Sequence, residues 1–274
     1  MSRFGARLAE AVAAHGTLCA GIDPHPGLLV AWGLADDADG LAAFAGACVE
    51  AFAGHVAVVK PQSAFFERHG SAGIAVLERL LADVAGTGTQ VILDVKRGDI
   101  GSTMAGYADA YLAEGAPLGA DAVTLTPYLG FDSLEPGLSA AAQAGRGVFV
   151  LARTSNPEGA DVQLATAGGT SVAQRIVDAA GERNAGAEAL GDVGVVVGAT
   201  HDHGLDLGRL HGPVLAPGIG AQGAGPADVA RRFAGLDGVV LPAASRSVLA
   251  AGPDPAALRA AALRLRDEVA AVAG

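Results

Sequence analysis

Short apolar runs alternate with alanine-rich segments along the whole chain, about eight times over. The runs are TLCAGID (17–23), VAVVK (56–60), QVILDVK (90–96), AVTL (122–125), GVFVLA (147–152), VGVVVGA (193–199), PVLAPG (213–218) and GVVLPA (238–243). Several are apolar without interruption, the pattern of strands buried on both faces. The segments between them read as helices: GLAAFAGACVEAFAG (40–54), SAGIAVLERLLADVAG (71–86), TSVAQRIVDAAGERNA (170–185), PADVARRFAG (226–235) and the C-terminal stretch 254–272. A repeated strand-then-helix order implies parallel strands joined by crossover helices. Eight such units in 274 residues predict an α/β fold of the closed (β/α)₈ TIM-barrel type, with 1–274 forming one domain. An open doubly wound sheet is the competing architecture, but no glycine-rich dinucleotide fingerprint follows the first run.

Composition narrows the function classes. Lys and Arg number 18 against 29 Asp and Glu, a formal net charge of −11. Such a chain is poorly suited to nucleic acid or to an anionic membrane surface. Hydrophobic residues make up 51% and aromatics only 4%, so a large core must be built mainly from Ala, Val, Leu and Ile. No run approaches the roughly 18 apolar residues of a membrane span. The start, MSRFGARLAEAVAAHG, reads as a short amphipathic helix rather than a targeting segment. Cys19 and Cys48 lie in apolar surroundings without metal-ligand spacing and read as packed, reduced thiols, which points to a cytoplasmic protein.

Barrel chemistry sits at the C-terminal ends of strands, so the residues ending each run are the candidates. The first run ends in Asp23, the second in Lys60, the third in Asp94-Val95-Lys96, with Asp99 just beyond. The fifth leads into Thr154-Ser155-Asn156, the seventh into GIGAQG (218–223) and the eighth into Ser245-Arg246. Only 17% of the chain is charged, so this concentration is selective. Asp94 and Lys96, two apart on a strand, are expected on one face. With Lys60 and Asp99 they predict an alternating cluster of two ammonium and two carboxylate groups. Its blander reading is a salt-bridge network closing the barrel. Buried ion pairs often stabilise no better than apolar packing, which favours chemistry.

The turn GIGAQGAG and Arg246 suit a phosphate, through backbone N–H groups and a bidentate guanidinium; the alternative is an ordinary loop beside a surface arginine. His201-Asp202-His203 invites a metal reading, but no third ligand stands near, and the segment reads as a solvated loop. His25, in DPHP, reads as part of a rigid turn near the rim.

DVKRGDIGST (94–103) resembles the Asp-x-Lys-x-x-Asp signature of the orotidine 5′-phosphate decarboxylase family, in the DxKRGDIGxT form of its longer-chain bacterial branch. GIDPHP (21–26), VVKPQ (58–62), TPYLG (126–130), TSNPEG (154–159), PGIGAQG (217–223) and ASR (244–246) extend the resemblance over nearly the whole chain. The resemblance implies a homodimeric barrel that converts orotidine 5′-monophosphate to UMP and CO₂, the last step of de novo UMP biosynthesis, with no metal and no organic cofactor. It implies that Lys60, Asp94, Lys96 and Asp99 form the charged tetrad, with Asp99 entering the partner's active site and Ile100 and Thr103 following it across the interface. Asp23 and Lys60 would hold ribose hydroxyls, Ser155 the pyrimidine, and Gln222 and Arg246 the phosphate. Lys96 would stabilise charge at C6 and protonate it. The chain departs from the common pattern at Gly101-Ser102, where many members carry a bulkier residue. A related Mg²⁺-dependent sugar-phosphate decarboxylase or aldolase and a non-enzymatic phosphate-ligand sensor are the competing functions.

Overall fold

Each of the eight apolar runs becomes a strand: β1 (Cys19–Ile22), β2 (Val58–Pro61), β3 (Gln90–Arg97), β4 (Ala122–Leu125), β5 (Gly147–Arg153), β6 (Val193–Val197), β7 (Val214–Pro217) and β8 (Val240–Ala244). They run parallel, each hydrogen-bonded to its sequence neighbours, and β8 returns to β1 with Cys19 opposite Ala243, closing the barrel. This architecture comes from a computed structural model that describes residues 2–220, 223–236 and 238–273.

Burial on both strand faces explains why the runs carry so few polar residues. Inward side chains, among them Ile92, Phe149 and Leu215, pack on one another inside the barrel. The N-terminal helix Phe4–His15 joins that cluster through Phe4 and Leu8. Phe4 meets Phe149 edge to face, with ring centroids 6.0 Å apart, and fills the space a side chain at position 147 would need, so Gly147 is matched to it. The amphipathic start of the sequence is therefore a plug under the barrel. Outward strand residues pack against the helices in a second, larger layer that includes Phe44, Phe52, Phe66, Leu77 and Leu80.

The crossover helices begin where capping chemistry permits. Asp37 accepts from the Gly40 N–H at 2.9 Å to start Ala38–Phe52, and Ser171 accepts from the Gln174 N–H at 3.1 Å to start Val172–Asn184. Helices Gly101–Tyr111 and Glu135–Gln143 follow β3 and β4, where the sequence reading specified none. The sixth crossover, residues 198–213, contains no helix, so the strand–helix repeat is imperfect there.

That helix-free segment corrects the reading of 201–203 as a solvated loop. His201 and Asp202 are exposed, but His203 is buried. Its Nδ1 accepts from the Leu205 N–H at 3.0 Å, which places the proton on Nε2, 2.9 Å from the Arg232 carbonyl oxygen. Its ring stacks on Phe233 with centroids 5.2 Å apart. His203 thus pins the long crossover to the helix Pro226–Arg232. His25 precedes the helix Pro26–Ala31 and tilts against Phe65 at 6.2 Å. Both cysteines are free and fully buried, and burial pushes the Cys19 thiol up to about 12 against the opposing pull of Lys60. No helix among the described residues is long and apolar enough to cross a membrane.

Candidate active site

The C-terminal strand ends surround a cleft of about 320 Å³, into which Asp23, Lys60, Asp94, Lys96, Ser155 and Arg246 all converge. Its centre is built on β3. The β3–β4 ladder pairs Leu93 with Val123, then slips to pair Arg97 with Leu125. Residues 94–96 therefore bulge, and Lys96 adopts a left-handed φ of 46°. Such a backbone costs a side-chain-bearing residue about 1–2 kcal/mol and is held here by Thr124. The Thr124 hydroxyl accepts from the Lys96 N–H at 2.9 Å and donates to Asp94 Oδ1 at 2.8 Å. Asp94 and Lys96 do meet, but through a bulge rather than through the plain strand alternation expected from their spacing.

Asp94 lies between two ammonium groups. Its Oδ1 accepts from Lys96 Nζ at 2.6 Å and its Oδ2 from Lys60 Nζ at 3.1 Å. Gln62 donates to the Asp94 carbonyl oxygen at 3.2 Å and extends the β2–β3 pairing by one bridge. Burial pushes the Asp94 carboxyl up, but Lys60, Lys96 and the hydrogen bonds from Lys96 and Thr124 outweigh it, holding the group well below the usual carboxylate range. Burial pushes the Lys60 ammonium down, but Asp94 and then Asp23 outweigh it and raise the pKa above the ordinary lysine value. Lys60 and Asp94 therefore stay charged across the neutral range. Their side chains line the cleft but are each only 9% exposed, whereas that of Lys96 is 45% exposed.

The expected four-charge cluster does not assemble within one chain. Lys60, Asp94 and Lys96 come together; Asp99 makes no ion pair among the described residues, and its Oδ1 instead accepts from the Ile100 N–H at 2.8 Å. Ile100 is 62% exposed, and Thr103 is exposed on the first turn of the helix Gly101–Tyr111. None of Asp99, Ile100 and Thr103 lines this chain's cleft. Gln222 lies outside the described residues.

Beyond β5, Gln163 fixes the loop that carries Ser155. Its Oε1 accepts from the Thr154 N–H and from Arg153, both at 3.0 Å, and its Nε2 donates to the Thr154 hydroxyl at 2.8 Å. Thr124 and Gln163 escaped the sequence reading, and Gln62 entered it only as the end of VVKPQ. Thr124 carried a signal, as the one polar residue in the run AVTL; Gln163 carried none. Two buried oxygens at the cleft, Asp23 Oδ1 and Ser245 Oγ, have no hydrogen-bond partner among the described residues. A carboxylate oxygen in that state is an acceptor ready for a ligand hydroxyl.

A larger cavity, about 1230 Å³, opens at the other end of the barrel around the N-terminal helix. Its Arg7 is already bound to Asp121 at 3.0 Å and to Gln90 at 3.3 Å. Unclaimed charge and orphaned acceptors sit at the C-terminal mouth, so chemistry rather than volume identifies the site. That mouth offers cations for an anionic ligand, an acceptor for a hydroxyl, and an ammonium group whose orientation is fixed by a carboxylate.

Comparison with known proteins agrees in fold and in sequence. A profile of the "Orotidine 5'-phosphate decarboxylase / HUMPS family" matches residues 16–261. The chain is 60% identical over 277 residues to a Salinispora arenicola protein named orotidine 5′-phosphate decarboxylase, covering 100% of both. It is 53% identical over 272 residues to the Streptomyces coelicolor protein of the same name, covering 98% of each. Among solved structures, a Streptomyces avermitilis protein superposes with a TM-score of 0.96 at 52% identity, covering 100% of this chain and 96% of that one. The Leishmania donovani OMP decarboxylase superposes with a TM-score of 0.77 at 31% identity, covering 100% and 99%.

Proposed function

This chain belongs to the orotidine 5′-phosphate decarboxylase family, and we propose from that membership that the C-terminal cleft carries out the reaction with Lys96 as its proton donor. The enzyme is a carboxy-lyase that converts orotidine 5′-monophosphate to UMP and CO₂. The observation that carries the assignment of roles is the Asp94 carboxylate held between Lys60 and Lys96, with Lys96 the more exposed of the two.

The chemistry demands such a group. Breaking the C6–carboxylate bond releases CO₂ and leaves the electron pair in an sp² orbital at C6 that the pyrimidine ring delocalises poorly. A fixed cation beside C6 lowers the energy of that pair, and an N–H on the same cation quenches it. Lys96 supplies both and regains its proton from solvent after UMP forms. Asp94 orients Lys96, and Thr124 holds both in register. Preorganised electrostatics carries the larger share, with carboxylate–carboxylate stress in the ground state a smaller one. Asp23 and Lys60 bind the ribose hydroxyls, Ser155 the pyrimidine, and Arg246 with Gln222 the phosphate. Binding energy gained at the remote phosphate is then available to close the cleft and lower the barrier.

The single-chain cleft is one carboxylate short, and the missing one belongs to a second copy. Asp99, Ile100 and Thr103 lie on the rim of β3, next to the exposed Tyr128 and Leu129 after β4. The Thr126 N–H donates to the Arg97 carbonyl oxygen at 2.7 Å, which ties the two rims together. A two-fold dimer across this surface covers the apolar side chains and brings Asp99 to the partner's Lys96. The nucleotide and the second copy are the only partners proposed, with no role for nucleic acid or membrane, and a cytoplasmic setting fits two buried free thiols.

Activity is expected to survive exhaustive EDTA treatment, because the cation at the reacting carbon is an ammonium group. Among the described residues no group of three or more His, Cys, Asp or Glu side chains converges as a metal site would. Loss of turnover on chelation, with recovery on adding Mg²⁺, favours the sugar-phosphate chemistry instead. Arg246→Ala is expected to weaken UMP binding by roughly 10- to 100-fold, the value of a charged hydrogen-bonded contact, and uridine binding hardly at all. Calorimetric titration of the two ligands measures the difference, and equal losses remove Arg246 from the phosphate subsite.

A further inference from the structure

Ser245 joins β8 to a single helical turn, Arg246–Leu249, and occupies that turn's N-cap position. Serine is favoured at such positions because its hydroxyl can accept from an unpaired N–H of the first turn. Here it does not: the side chain makes no capping bond, and the Val248 and Leu249 N–H groups donate to the Ser245 carbonyl oxygen at 3.0 and 2.9 Å. The hydroxyl is instead buried and without a partner among the described residues, on a residue that lines the cleft. Alanine, the residue at both preceding positions, would spare the fold an unsatisfied buried oxygen.

The neighbouring strand makes room for this arrangement. A Cβ on Gly21 of β1 would lie 2.7 Å from Ser245 Cβ, so glycine at position 21 leaves room for a side chain of any kind at 245. Just past the end of β1, Asp23 presents the cleft's other buried oxygen with no partner among the described residues. The third such atom, His69 Nε2, lies off the cleft, 3.8 Å from Asp36. Ser245 directly precedes Arg246 and lines the same cleft as Asp23, so a ligand with a ribose hydroxyl on Asp23 and a phosphate on Arg246 lies in a cleft whose wall includes Ser245.

We infer that Ser245 is a further substrate-binding residue, its Oγ–H donating a hydrogen bond to an oxygen of the nucleotide 5′-phosphate. The inference rests on the decarboxylase reading of the cleft. An ionised phosphate offers only acceptors, so the hydroxyl donates, and the bond is charge-assisted. In the free protein the oxygen is buried with no partner among the described residues, and a turn about the Cα–Cβ bond brings it to the nucleotide, which satisfies it.

Ser245→Ala separates a binding role from a packing role. UMP affinity, measured calorimetrically, is expected to fall about tenfold, the value of a charge-assisted hydrogen bond, with the KM for orotidine 5′-monophosphate rising in step. Uridine affinity stays within about twofold, since the phosphate contact is absent from both measurements. The melting temperature without ligand stays level or rises, because an unsatisfied hydroxyl has been removed. UMP affinity within twofold of the unmutated enzyme overturns the inference. So does a parallel loss of uridine affinity, or a lower unliganded melting temperature, since either assigns Ser245 to packing. Turnover of orotidine 5′-monophosphate by the unmutated enzyme is the separate control. Its failure refutes the decarboxylase reading, whereas a change in UMP affinity tests Ser245 directly.

Discussion

Replacing Lys96 with alanine is expected to leave a folded protein that binds UMP and does not turn over. The Lys96 side chain is 45% exposed, and Asp94 retains Lys60 and the Thr124 hydroxyl without it, so the loss to stability is small. The loss to catalysis is large because one ammonium group performs two tasks. A positioned proton donor contributes at least about 10²-fold, and a preorganised charge at the developing anion at least about 10²-fold more. Together they set a fall in kcat of at least about 10⁴-fold, or roughly 5 kcal/mol of barrier. The measurement is the loss of orotidine 5′-monophosphate absorbance, with circular dichroism and UMP titration confirming the folded state. Near-normal kcat in a folded variant removes Lys96 from the chemistry.

How far the sequence reached depends on which interactions are local. The strand ends were legible because parallel barrel strands are buried on both faces, so Lys60, Asp94 and Lys96 stand out against continuous Val, Ile and Leu. The bulge that joins Asp94 to Lys96 was not, because it depends on the hydroxyl of Thr124, a side chain on the next strand. The same holds for His203. Its burial comes from Phe233 and Arg232, some 30 residues onward, while its own neighbours are polar and glycine-rich. Helix Gly101–Tyr111 follows from the strand–helix repeat but was not picked out by itself, since it buries only Met104, Ala108 and Tyr111. Ser245 was legible as a residue following the eighth strand; only the three-dimensional structure leaves its hydroxyl without a partner among the described residues.

Asp99 was legible as a charge, and the family resemblance already sent it to the partner's site; its position leads to the most demanding test of that site. It follows Lys96 by three residues, yet its carboxylate turns back to its own loop rather than to Lys96. A shared site makes a sharp quantitative statement. Lys96→Ala and Asp99→Ala homodimers each carry one lesion in every site and are expected to be nearly inactive. When their subunits exchange, a mixed dimer has one site that takes Lys96 from one chain and Asp99 from the other, both intact. Its second site carries both lesions. Equal, random mixing makes about half the dimers mixed, each with one working site of two, so activity should recover to roughly a quarter of wild type by two-fold symmetry. If Asp99 served its own chain, every site in every dimer would keep a lesion and mixing would restore nothing. Subunit exchange verified by mass-tagged chains, followed by the absorbance assay, therefore decides between the two arrangements. An absence of recovery rejects the shared site while leaving the decarboxylase assignment, which rests on the family, in place.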